Sequence, residues 1–169
     1  MPARTAESRS EASPFQLALF WFGIQAVWGA LLGVSLPART AELSPANAQI
    51  ATNELAAAGA FAAAVVQILI GVLSDARRRS GSRRIEFYAF GAVAGAIALL
   101  SFYNAGTFAE LAVAFVALQA TLNIAIGPYQ AIIPDFVTGK RIGVASSWMA
   151  ALQSAGNAIG ALAASFVAN

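Results

Sequence analysis

The sequence predicts an all-α polytopic membrane protein, a bundle of five transmembrane helices. Three observations predict it. The 169 residues are 59% hydrophobic and only 11% charged, whereas soluble domains carry about 25% charged residues. Five stretches are apolar enough, over the roughly 20 residues that a bilayer requires, to cross it as helices. Nine of the ten basic residues then fall on one side of those stretches, the asymmetry that marks cytoplasmic segments.

Residues 1–13 form a tail carrying Arg4, Glu7, Arg9 and Glu11, and the charge rule places it in the cytoplasm. The bundle occupies residues 14–169. Its first span runs from Phe15 to Leu36, where Pro37 follows. A cleaved signal peptide has a shorter apolar core ending in small residues, so this Trp- and Phe-rich run is a retained span. The second span, Ala51 to Ser74, is rich in Ala. After it come Asp75 and five arginines (77, 78, 79, 83 and 84), which cannot sit in lipid and so define a cytoplasmic loop. The third span covers Ile85 to Phe102. The fourth covers Phe108 to Ile133 and contains Gly127-Pro128, where proline removes a backbone donor and kinks the helix. That kink is either a gate or a simple bend. The fifth span, Gly143 to Val167, is diluted by Ser146, Ser147, Gln153, Ser154 and Asn157, so it needs protein neighbours. Glycines four apart at Gly29/Gly33, Gly91/Gly95 and Gly156/Gly160 predict close helix packing.

Composition excludes several functions. There is no Cys and no His, hence no thiolate metal site and no serine–histidine dyad. No span carries a charge near its centre; Glu54 and Glu110 lie near the outer ends. Intramembrane ionisable groups usually mark proton relays, and their absence argues against a self-contained pump. The isoelectric point near 9.5 reflects short loops rather than a nucleic-acid surface. No enzyme activity, cofactor or metal is expected. The expected partners are the lipid bilayer and a small polar solute.

The spans instead carry uncharged polar faces. Gln119, Asn123, Gly127 and Gln130 are spaced four, four and three, which puts them on one side of the fourth helix. Trp21, Gln25 and Trp28 do the same on the first, and Gln153, Asn157 and Gly160 on the fifth. Amides are costly against lipid, so these faces should turn to protein or water. Two readings stand. Gln25, Gln119, Asn123, Gln130, Gln153 and Asn157 line a polar cavity, with Trp28 as an apolar platform; or the amides hydrogen-bond helices together.

The loop Gly71-Val-Leu-Ser-Asp75, followed by paired arginines, resembles the loop after the second helix of major facilitator superfamily transporters. Gly23-Ile-Gln25-Ala-Val-Trp28 and the segment Asn123-Ile-Ala-Ile-Gly127-Pro128-Tyr-Gln130 through Asp135 are similar to the first and fourth helices of sucrose:proton symporters and their bacterial relatives. These stand near the glycoside–pentoside–hexuronide:cation symporters. The resemblance implies five helices of a six-helix facilitator-type half, built as 3+3 inverted repeats. It also implies a missing second half or a partner chain, while the high Ala content points to a bacterial source and hence the cytoplasmic membrane. Gln119 and Gln130 stand where the symporters carry an aspartate and an arginine, so proton coupling through this helix does not carry over. Gly71, Asp75, Arg83, Arg84, Asp135 and Arg141 are the expected cytoplasmic latch between halves, with Arg83 the first choice of partner for Asp135 and Arg84 the second. Alternatively, the arginines only orient the chain. The rival function is a membrane scaffold whose polar faces bind partner helices.

Overall fold

The computed structural model describes residues 13–79, 85–130 and 141–168. Helix α1, Pro14–Ala30, passes through one π-helical turn, Leu31–Ser35, into α2, Leu36–Leu43. The sequence predicts an end at Leu36, because Pro37 cannot donate to the helical ladder. The structure carries the helix through instead. The wider π turn shifts the ladder just before the proline. Pro37 then occupies the first turn of α2, where its missing N–H is of little consequence.

A short 3₁₀ turn, Pro45–Asn47, leads into α3, Ala48–Arg79. At 1.5 Å per residue, its 32 residues span about 48 Å, well beyond the roughly 30 Å of hydrocarbon. Arg77 to Arg79 are therefore its last turn rather than a loop, and cations are favourable at a helix C-terminus. Helix α4 covers Ile85–Asn104, α5 covers Phe108–Gln130 and α6 covers Arg141–Ala168. Thr107 and Glu110 cap α5 reciprocally. Glu110 Oε2 accepts from the Gly106 and Thr107 N–H groups at 2.8 and 3.3 Å, and the Thr107 hydroxyl accepts from the Glu110 N–H at 3.2 Å. This is a capping box, and it explains why a glutamate stands at the end of a span. Among the described residues, five helical segments are long and apolar enough to cross a membrane: Trp21–Leu43, Pro45–Arg77, Glu86–Asn104, Phe108–Tyr129 and Ile142–Val167.

Packing joins helices that are distant in sequence. α1 lies along α6, and α5 lies between α3 and α4. Of the six glycines in the three pairs, five are buried in these seams and Gly33 is exposed. A Cβ on Gly160 would lie 2.6 Å from the Ala26 carbonyl carbon, one on Gly29 2.6 Å from Asn157 Cα, and one on Gly91 2.8 Å from the Ala125 backbone nitrogen. Only glycine permits that approach. A large apolar cluster (Leu31, Leu36, Leu55, Phe102, Leu111, Phe115 and Leu118) joins α2 and the π turn to α3, α4 and α5. A smaller one, Trp21, Ile126 and Tyr129, joins α1 to α5. The largest apolar side chains on the surface, among them Phe61, Ile68, Val113 and Phe166, point outward, as lipid-facing positions do.

Candidate functional site

Gln25, Gln119 and Asn123 are all buried, with 8%, 6% and 3% of their surface exposed, but they are not equivalent. Asn123 is fully engaged. Its amide nitrogen donates to the Gln119 carbonyl at 2.7 Å, and its side-chain oxygen accepts from Gln67 Nε2 at 2.6 Å. It ties α5 to α3. The side-chain amides of Gln25 and Gln119 have no hydrogen-bond partner among the described residues. Among the described residues Arg39 Nε is the one side-chain nitrogen or oxygen that is both fully buried and without a partner, so the Gln25 and Gln119 amides keep some accessible surface and are available to something other than the bundle. Gln119 lies over Gly59 of α3, and Gln25 lies against Gly156 of α6.

The aromatic residues frame the same region. Trp21 stacks on Tyr129 with ring centroids 5.6 Å apart and planes 10° from parallel. Its indole N–H donates to Gln153 Oε1 at 3.1 Å, which uses that amide to join α1 and α6. Trp28 is half-buried and packs against both apolar clusters, so α1 and α5 face each other at its depth. Asn157 is half-buried, and its backbone fills the space over Gly29. Pro128 is buried inside α5, and beside it a Cβ on Gly127 would make only ordinary contact with Ile70. Gln130 ends α5, and its side chain lies outside the described residues.

Of the expected latch, Arg83, Arg84 and Asp135 lie outside the described residues, as does the side chain of Arg141. Asp75 is exposed on the last turns of α3. One turn before it, a Cβ on Gly71 would meet nothing within 4 Å, so helix packing does not account for that glycine. Among the described residues at this end, Arg77 pairs with Glu86, and the Arg77 guanidinium is 5.9 Å from the centre of the Phe87 ring. The pair staples α3 to α4.

Sequence reasoning passed over several residues that the structure brings into play. Gln67 stands eight residues after Gly59, two turns along the same face, so a signal was present. Arg39, the one basic residue on its side, pairs with Glu42 and donates to the Ala105 carbonyl just past the end of α4. Nearby, the Ser35 and Tyr103 hydroxyls share a hydrogen bond of 2.8 Å. Two surface grooves, of about 690 Å³ between α4 and α5 and about 620 Å³ beside α1 and α6, open sideways. Neither is lined by the six predicted cavity amides, so neither is the site argued for above. Among the described residues no cluster of three or more His, Cys, Asp or Glu could hold a metal.

A family model described as Major Facilitator Superfamily matches residues 15–169. Among curated proteins and solved structures, no match is found.

Proposed function

The chain belongs to the major facilitator superfamily, and from that premise we propose that it is the N-terminal part of a secondary transporter for a small polar solute of the sugar or glycoside class. Alternating access rocks one bundle against another about a midplane site, so the proposal includes a second half, from the same reading frame or from a partner chain. Positive-side asymmetry supports a cytoplasmic N-terminus with the arginine-bearing end of α3 inside, and the high Ala content supports a bacterial cell membrane. Gln25 and Gln119 hold the solute, Trp28 offers it an apolar face, and Gln130, Gln153 and Asn157 complete the cavity. Asp75 with Arg83 or Arg84, Asp135 and Arg141 latch the cytoplasmic side. Because Gln119 and Gln130 do not titrate, a coupling proton is not carried at these two positions.

The observation that supports this reading is that Gln25 and Gln119, largely buried as residues, carry amides that pair with nothing among the described residues and keep some accessible surface. A bundle held together by amides would pair them, as it pairs Asn123 with Gln67. That pairing, and the bond from Trp21 to Gln153, favour the rival reading of a scaffold, so the two must be separated by experiment. Uptake of a labelled neutral disaccharide, by cells expressing the gene and lacking their own carrier, should fall sharply in Gln25→Leu and in Gln119→Leu while both proteins remain in the membrane. Uptake indifferent to both substitutions would remove these residues from the transport path.

A further inference from the structure

The groove beside α1 and α6 carries a cation in its lining, and the groove between α4 and α5 does not. Its wall on the first span runs from Ala26 to Arg39, with Ala163, Ala164 and Val167 of α6 facing it. At 1.5 Å per residue that wall is about 20 Å long. One bilayer leaflet, headgroup region included, is about 20–22 Å thick, whereas a helix in the groove would have to cross roughly 30 Å of hydrocarbon. The apolar lining ends at a polar cluster of Arg39 and the hydrogen-bonded hydroxyls of Ser35 and Tyr103. Arg39 lies four residues before the end of α2 and Tyr103 one before the end of α4, so the cluster sits at headgroup depth, the usual level of tyrosine in a membrane protein. Arg39 has unused donors. Of the five N–H groups of a guanidinium, one on Nη1 serves Glu42 and one on Nη2 serves the Ala105 carbonyl. Nε is buried without a partner, and the second hydrogens of Nη1 and Nη2 have no acceptor among the described residues. Glu42, one turn on, keeps 61% of its side chain exposed, against 16% for Arg39. A sheltered cation therefore stands beside a solvated anion.

We propose that this groove binds one phospholipid with a zwitterionic phosphoethanolamine headgroup, held at Arg39 and Glu42. The phosphate accepts from the unused Nη1 and Nη2 hydrogens, which are charge-assisted donors. The Ser35 and Tyr103 hydroxyls use one hydrogen between them, and the other is free to donate to an ester oxygen. The ammonium, on the water side, donates to the Glu42 carboxylate. One acyl chain fills the wall from Ala38 to Ala26, where small side chains leave it room. Headgroup and site are each neutral overall and match charge for charge. A phosphoglycerol headgroup would bring its negative charge beside Glu42 with no ammonium to meet that carboxylate. The inference is independent of the solute cavity and holds for a transporter and for a scaffold alike.

The test is native mass spectrometry of the full 169-residue chain, released from nanodiscs that hold equal amounts of phosphatidylethanolamine and phosphatidylglycerol with the same acyl chains. After loosely held lipid is stripped, the wild type should retain one lipid. Ethanolamine should be favoured over glycerol by at least about tenfold, the factor that one charge-assisted hydrogen bond supplies. Arg39→Gln should cut retention by a similar factor. Ala163→Phe should do the same by filling the groove at an exposed alanine. Ala109→Phe, at an exposed position in the α4–α5 groove, is the control and should keep the lipid. Glu42→Gln removes the ammonium's partner and should erase the preference for ethanolamine. Glycerophosphoethanolamine, the headgroup without chains, should not displace the lipid. Equal retention of both lipids by the wild type, or a preference that survives Glu42→Gln, overturns the headgroup assignment. Retention unchanged in both Arg39→Gln and Ala163→Phe overturns the site, as does displacement by the chainless headgroup. A wild type that retains no lipid ends the proposal and leaves the groove to a helix.

Discussion

Gly160→Ala adds one methyl group to the seam between α1 and α6, and the structure fixes how far that seam must open. The new Cβ would lie 2.6 Å from the Ala26 carbonyl carbon and 2.8 Å from Ala26 Cα. Carbon atoms rest about 3.5–4.0 Å apart, so the helices must separate locally by about 1 Å. Both contacting groups are backbone, and no rotamer change can relieve the clash. A gap of that size forfeits about a quarter to a half of the dispersion energy of the atoms that face it. The neighbouring contacts, Gly29 on Asn157 and Gly156 on Phe22, open with it. Overpacking of this kind costs about 1–3 kcal/mol, and the backbone clash argues for about 3. Alanine's higher helix propensity returns about 1 kcal/mol, leaving a net loss of about 2 kcal/mol. Gly23→Ala is the matched control on the same seam helix. Its Cβ meets nothing within 4 Å, so the propensity gain of up to about 1 kcal/mol stands alone. Gly33→Ala should fall between them, with its Cβ 3.2 Å from that of Ala161. The assay is unfolding in mixed micelles, followed by tryptophan fluorescence. The reasoning fails if Gly160→Ala proves as stable as Gly23→Ala, because the α1–α6 approach would then not be as close as described.

Three further outcomes are expected. Gln67→Leu should cost about 1–2 kcal/mol by stranding the Asn123 oxygen, and Gln67→Leu with Asn123→Leu should recover most of it; a double variant no better than the single would mean the bond is not what couples α3 to α5. Gln119→Asp should introduce a pH dependence absent from the wild-type site. Burial raises a carboxylate's pKa, so the folded state holds its proton longer than the unfolded one. Stability should then be highest at low pH and fall as pH rises above about 3.9, and a melting curve independent of pH would show that position 119 is well hydrated. A cysteine at Ala41 should be labelled by an impermeant reagent from outside the cell and one at Ser80 only from inside; the reverse would invert the proposed orientation.

The number and order of the spans were legible because lipid imposes a length and a composition that a sequence displays directly. The amide faces were legible because positions three and four apart share a side of a helix. Which neighbour each face meets was not. Asn123 and Gln119 are one turn apart on one helix, yet the first is consumed by Gln67 and the second is left unpaired, and spacing within α5 carries no information about α3. The helix running through Pro37 was hidden for another reason: an extra residue in the turn before a proline leaves no compositional mark. Arg39 was counted as the single exception to charge asymmetry, whereas the structure gives it a local role, on Glu42 and on the carbonyl beyond α4. Charge counting treats a basic residue as a label for one side of the membrane and cannot register a hydrogen bond.

The seam between α1 and α6 also sets a clock on biogenesis. Trp21 and Gln153 are 132 residues apart in the chain, and the glycine contacts bridge similar separations. At the usual 5–20 residues per second, roughly 7–26 s pass between synthesis of the two partners. The helices α3, α4 and α5 are made within that interval and can dock on one another as they leave the ribosome. α1, inserted before α6, must wait with its small-residue flank uncovered until α6 arrives. Lipid, the insertion machinery or a passing helix will occupy that flank in the meantime, and the native partner must displace whatever is there. Of these helices, the one made earliest is thus among the last to find its place.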